Sequence, residues 1–226
     1  MVGFTRRDVI GLVLALGAVA VCVRLGVWQL ARLHQRRAAN ALVRAARERP
    51  PVELSGRAAA DSLWNRRVRA RGVYDFDHER LWRPRMLADE PGVDLVTPLR
   101  LADGSGVLVD RGWAPSPDGY HIAELLYREP DTADVTGLAL AAPRGRGDVD
   151  PATLKDSMPY PLLPFVIQLL PSPTAPDRPL APGLYRWPAP ELGDGPHLSY
   201  AIQWFSFAVI IAFGSVALLR KRGAPG

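Results

Sequence analysis

The sequence predicts a membrane protein with two terminal transmembrane helices and an α+β, mainly antiparallel β domain, barrel- or sandwich-like, on the extracytoplasmic side. Three observations predict it. Apolar runs long enough to cross a bilayer sit near the two ends of the 226-residue chain. Between them, short stretches alternate apolar and polar residues and are separated by turn residues, the pattern of half-buried strands. Charge is also segregated. Residues 50–197 hold 16 Lys and Arg against 21 Asp and Glu, a balance of −5, although the whole chain carries +5.

The first span is placed at 9–30. A bilayer crossing needs about 20 apolar residues at about 1.5 Å rise each. Val9–Val23 supplies 15 uncharged residues before Arg24 interrupts. The run is long enough if Arg24 lies at the interface, stem buried and guanidinium reaching the headgroups. Arg6-Arg7 ahead of an apolar run imitates a signal peptide, but the run exits into Arg24, Trp28 and Arg32 rather than a small-residue cleavage pattern, so the helix is expected to be retained. Residues 31–49 contain no Pro or Gly and read as a basic helical extension that ends at Pro50-Pro51. Its arginines suit a solvated face or contact with anionic headgroups.

Residues 50–170 read as a β-rich soluble domain. Val68, Ala70 and Gly72 alternate with Arg67, Arg69 and Arg71, one face inward and a row of guanidinium groups outward. Leu95–Leu101 and Gly106–Trp113 flank Ala102-Asp103-Gly104-Ser105, a hairpin signal because Gly accepts the positive φ of the turn. Val135–Ala141 and Phe165–Leu170 supply further strands, and Asp150-Pro151 starts a short helix with Asp as N-cap. Residues 171–196 form a Pro-rich connector without regular structure. The second span, 198–219, carries no charge.

Arg6-Arg7 and Arg220–Arg222 place both termini in the cytoplasm and the domain outside. The Arg-rich stretch 32–49 argues the other way, but long domains cross largely regardless of charge. Cys22 is the single cysteine, so no disulfide framework forms within the chain. With no Cys pair and only Met1, Met86 and Met158, a soft-metal ligand set is missing. Basic residues cluster beside the spans rather than on the domain, which argues against nucleic-acid binding.

No nucleophile elbow, phosphate-cradling loop or HExxH motif is present, so the chain does not read as an enzyme. Asp75, Asp77, His78 and Glu79 read as a solvated loop. In an extended strand the three carboxylates would share one face while His78 points away. His34 and His121 lack partners at ligand spacing and read as surface histidines. Asp110-Arg111-Gly112-Trp113 ends a strand, where adjacent opposite charges fix a turn or meet a partner.

If both helices span, the exit of the first and the entry of the second lie at one bilayer level. On a helix, 197, 200 or 201, 204, 208 and 211 share a face, so His197 stands above Tyr200 or Ala201 and Trp204. That stripe suits a flat apolar macrocycle with imidazole as axial iron ligand; it equally suits an interfacial aromatic belt. Arg24, Trp28 and Arg32 share a face of the first helix. They form a cation–π pair or bind acidic groups such as a lipid phosphate or haem propionate. Gln29 and Gln203, near the same surface, are placed to bond each other.

Four blocks occur in order: Gly26-x-Trp28-Gln29-Leu30-x-Arg32; Arg67-x-x-x-Arg71-Gly72-x-Tyr74; Pro98-Leu99 with Val109-Asp110-Arg111-Gly112-Trp113; and His197-Leu198-Ser199-Tyr200-Ala201-Ile202-Gln203-Trp204-Phe205. Together they resemble the surfeit-locus (Surf-one, also called Shy-one) family of cytochrome c oxidase assembly factors, from about Arg24 to Leu219. The resemblance implies a non-enzymatic factor in the cell inner (plasma) membrane that binds haem a at the outer surface and helps insert it into oxidase subunit I. Haem a synthase and the lipid bilayer are the other partners it implies. A scaffold that holds apo-subunit I and the synthase without touching haem is the alternative. The family's membrane-surface histidine, proposed there as a haem ligand, matches His197. Tyr200, Trp204, Trp28, Arg24 and Arg32 are the expected companions at the cargo. Gln29, Gln203 and the two domain blocks are expected to be structural or partner-facing.

Overall fold

A computed structural model describes residues 5–55, 60–142, 149–171 and 183–223. The chain divides into two units, Met1–Leu42 with Leu192–Gly226, and Val43–Glu191. Of the Pro-rich stretch expected to lack regular structure, residues 172–182 lie outside the described residues.

The first unit is a helix pair. Helix α1 (Arg6–Glu48) runs 43 residues, about 65 Å at about 1.5 Å per residue. It is capped by Thr5, whose hydroxyl accepts from the Asp8 backbone N–H while the Asp8 carboxylate accepts from Thr5 N. Helix α4 (His197–Gly223) returns along it. Both are long and apolar enough to cross a membrane, which is compatible with a membrane protein. The seam between them is narrow. Cys22, Gly26, Leu33 and Asn40 are buried on α1, Ala201 and Ala208 on α4, and the other faces stand open. Small residues at the crossing let the backbones approach. A Cβ on Gly26 would lie 2.7 Å from Cζ of Phe205, so glycine is what admits that ring.

The second unit is a seven-stranded mixed sheet ordered β1-β2-β6-β7-β5-β4-β3. Its strands are β1 (Val52–Glu53), β2 (Arg67–Tyr74), β3 (Arg80–Leu87), β4 (Glu90–Leu101), β5 (Gly106–Pro115), β6 (Thr132–Leu140) and β7 (Leu162–Leu169). Two short helices, α2 (Ala60–Leu63) and α3 (Pro151–Leu154), complete it. The end of β2 also pairs with β4, Gly72 opposite Leu101. The strands β2, β6, β7, β5 and β4 therefore form a closed circuit of pairings around a core of Val68, Leu99, Val109, Phe165 and Ile167.

The strand pattern holds in several places. Val68 and Ala70 are buried while Arg67 and Arg71 are exposed. The hairpin forms at Gly104, φ +85°, and Arg100 faces Gly106 across it. Asp150 caps α3 by accepting from Ala152 N at 3.0 Å.

The mainly antiparallel expectation holds for five of the seven strand pairings among the described residues. β1–β2 and β5–β7 are parallel, so the sheet is mixed and is neither a plain barrel nor a plain sandwich. Chain between β5 and β7 carries β6 and α3, long enough for a parallel crossover, and periodicity alone does not distinguish the two pairings. Edge strand β3 was not expected either. Its Arg80, Arg83, Pro84 and Arg85 mask the alternation, and such residues also guard an edge against further pairing. The segment Phe76–His78 is a 3-10 turn rather than extended chain. That turn brings the His78 ring to Asp75, Nδ1 to Oδ2 3.0 Å, instead of pointing it away.

Candidate functional site

The head of the helix pair is organised by one polar contact. His197 opens α4, and its Nδ1 lies 2.8 Å from Oε1 of Gln29 on α1. A carboxamide oxygen only accepts, so Nδ1 donates in this contact, and in the neutral ring Nε2 then keeps its lone pair. Nε2 makes no hydrogen bond among the described residues, and the ring is half-buried. Gly195, at φ +72°, precedes it; a Cβ there would lie 3.6 Å from Nε2 and cover that edge.

The chain leading into His197 is held by α1. Asn40 donates its amide to the carbonyls of Leu192 (3.3 Å) and Gly193 (3.2 Å). Arg37 donates Nε–H to Asp194 at 2.8 Å. Gln29, Arg37 and Asn40 lie along the α4-facing side of α1, so one helix face grips residues 192–197. Pro196 then starts α4, its carbonyl accepting from Tyr200 N and from the Ser199 hydroxyl.

The remaining helix residues are distributed unevenly. Ala201, 1 % exposed, occupies the seam, and Tyr200 beside it is 45 % exposed. Trp204 is half-buried and meets Phe207 edge to face, centroids 6.0 Å apart. Gln203 is exposed. Two positions past Ala201, it lies about 200° round a helix of about 100° per residue, so it bonds no Gln29. On α1, Arg24 and Arg32 are exposed and Trp28 is 53 % exposed. Arg24 and Trp28 form no cation–π pair among the described residues, and Arg32 bonds Gln35 at 3.0 Å. The structure thus brings Gln29 to His197 and leaves Arg24 and Trp28 on a face turned from the seam.

The domain blocks make internal contacts. Arg111 is wholly buried and donates to Glu79 (2.7 Å), Glu129 (3.0 Å), Thr97 (2.7 Å) and the Tyr127 carbonyl (2.7 Å). Thr97 donates to Glu79, and Arg186 pairs with Glu129. Asp110, also buried, accepts from Gly112 N at 2.9 Å. Burial and then the neighbouring Asp94 push the Asp110 carboxyl up to about 8. Gly112, φ +123°, admits the returning chain: a Cβ would lie 2.3 Å from the Tyr185 carbonyl. Trp113 and Tyr185 exchange two backbone hydrogen bonds of 2.8 Å.

Gly72 is equally constrained, since a Cβ would lie 2.0 Å from the Arg100 carbonyl at the β2–β4 crossing. Tyr74 is buried against Phe76, and Arg71 pairs with Asp134 while Arg67 faces solvent. With Arg69 donating at 2.8 Å, these bonds hold Asp134 at about 2.

Two features escaped the sequence reading. Arg85 stacks between Trp82 and Trp187 and pairs with buried Asp94 at 2.6 Å, and the Trp187 indole donates to Asp94 at 2.7 Å. Trp187, a lone indole in a Pro-rich stretch, was the available signal. Asn40 was the other: a weak helix former in a run of Ala and Arg needs a reason to be there.

A sequence profile described as the SURF1 family matches residues 16–209. The chain belongs to the SURF1 family. A SURF1-like protein of Mycobacterium bovis is 29% identical over 211 residues, covering 84% of this chain and 74% of its own. SURF1-like proteins of Mycobacterium tuberculosis strains match equally. A SURF1-like protein of Monosiga brevicollis is 34% identical over 112 residues, 44% of this chain and 43% of its own. SURF1 proteins are cytochrome oxidase assembly factors rather than a catalytic family. The profile spans the Gln29–His197 contact and both domain blocks, so the match covers both units.

Proposed function

We propose that this SURF1-family protein carries haem a as transient cargo and assists its placement in oxidase subunit I, with His197 as the axial iron ligand. One observation supports the reading above others: a half-buried imidazole at the start of α4, one nitrogen tied to Gln29 and the other free. The donor set fits the group, since neutral imidazole is a common haem ligand. The exposed ring of Tyr200 and the half-buried Trp204 offer apolar contact nearby. Seam residues Ala201 and Ala208 are covered by helix packing, so the cargo would lie on the outside of the pair.

A single protein ligand suits a carrier, because contacts that are too many would trap the cargo. Arg32 would steady a propionate only by leaving Gln35; Arg24 and Trp28 face elsewhere and suit headgroups better. The partners in this reading are subunit I and haem a synthase. The setting is the cell inner membrane, both termini cytoplasmic and the β domain outside.

The test is an absorption spectrum. Full-length protein purified from haem-a-producing cells should show a Soret band that His197→Ala loses at equal protein abundance. A wild-type protein without the band, yet still required for oxidase maturation, would replace the carrier with a scaffold that holds subunit I and the synthase together. A membrane-impermeant thiol reagent against a cysteine introduced at an exposed domain site reports the side; labelling only after lysis would reverse the topology.

A further inference from the structure

We infer that Gln29 is a positioning residue for the cargo: its carboxamide oxygen locks His197 in the Nδ1–H tautomer and so makes Nε2 the ligating nitrogen. The inference rests on the haem reading of His197 and deepens it. An imidazole that ligates a metal through one nitrogen commonly donates the other N–H to an acceptor, which fixes ring orientation and tautomer and tunes ligand basicity. Here the acceptor arrives from the other helix, across 168 residues of sequence at 2.8 Å. Gln29 lies one turn from Gly26, where the missing side chain lets Phe205 and α1 close up, so the carboxamide is carried to the ring by the helix crossing itself.

The chemical identity of the acceptor matters. A carboxylate in this position would form a charge-assisted bond and push electron density onto the imidazole, favouring ferric iron and tight retention. A neutral carboxamide orients the ring without that push. Iron held by such an imidazole binds firmly enough to be carried and loosely enough to be passed on. Gln29 therefore sets how strongly the cargo is held as well as which nitrogen holds it.

The experiment uses full-length protein in nanodiscs with ¹⁵N-labelled histidine. The chain has four histidines, so the spectrum is sparse and His197→Ala assigns the signal. In haem-free protein, wild type should show a protonated Nδ1 and an unprotonated Nε2. Gln29→Leu should lose that pattern, and Gln29→Glu should keep it. After loading with haem a, Gln29→Leu should retain cargo about tenfold less well, in the range such orienting partners command. Gln29→Glu should lower the haem midpoint potential and slow transfer to an apo-haem acceptor.

A wild-type Nε2–H tautomer, or a Gln29→Leu spectrum identical to wild type, overturns the inference. Should Gln29→Leu fail to accumulate, the Gln29→Glu potential decides alone, and an unchanged potential overturns it. The haem-free tautomer is independent of cargo: the expected spectrum without any Soret band would sink the carrier reading and leave the Gln29–His197 contact standing.

Discussion

Replacing Arg111 by Met should destabilise the β domain by about 3–5 kcal/mol, the usual cost of removing one partner from a buried ion pair. The structure says where the cost falls. Arg111 joins two carboxylates whose side chains are 4% and 10% exposed, Glu79 and Glu129. Glu129 keeps Arg186 when Arg111 is lost. Among the described residues Glu79 keeps only the Thr97 hydroxyl, so an almost dry carboxylate is left there without a counter-charge. Thermal unfolding of the full-length protein should report a fall of about 10 °C, at about 2–4 °C per kcal/mol for a domain of this size. Adding Glu79→Gln to Arg111→Met removes the stranded charge and should recover a substantial part of the loss. An Arg111→Met protein that melts with wild type, or a double variant less stable than the single, would refute the assignment of Arg111 to the fold.

Two further outcomes follow from groups already placed. Asp110 is raised to about 8 in the folded chain by burial and Asp94, against about 3.9 unfolded, so the native state holds a proton the unfolded state has released. Domain stability should therefore fall as pH rises from about 4 to about 8; Asp110→Asn, which keeps the acceptor for Gly112 N–H, should flatten this dependence in urea midpoints, and an unaltered slope would count against it. Asn40→Leu removes the hydrogen bonds to the carbonyls of Leu192 and Gly193, at about 0.5–1.5 kcal/mol each, while favouring the helix itself, so limited proteolysis between Glu191 and His197 should quicken, and unchanged cleavage would remove Asn40 from the grip on that segment.

The legible parts of the fold are those encoded locally. Apolar length marks the two helices, alternation marks β2, and an Asp-Gly pair marks the β4–β5 turn. Parallel pairing of β5 with β7 was not legible, because partner choice depends on crossovers that no single segment records. Edge strand β3 was hidden by its own arginines. At the candidate site, helical phase placed His197 and Trp204 on a shared face but left Tyr200 and Ala201 open. The choice fell on Ala201 because a methyl group fits a close helix crossing and a phenol does not. Gln29 was paired with the wrong partner for a similar reason: likeness of side chains suggested Gln203, whereas helical phase turns that residue outward.

The four sequence blocks divide by what they touch. In the domain, Gly72 and Gly112 sit where a Cβ would strike another backbone, and the Arg111 guanidinium and the Asp110 carboxyl are sealed inside. Such positions answer to folding, since any larger side chain or missing charge is felt at once. In the helix pair the same blocks include Trp28, Arg32, Tyr200 and Gln203, which are exposed and bear little on packing. Specific residues on an open helix surface need a reason outside the fold, such as lipid, cargo or a protein partner. Gln29 and His197 stand between these classes. They bond each other inside the chain, yet the bond spends only one imidazole nitrogen and leaves the second one available for chemistry.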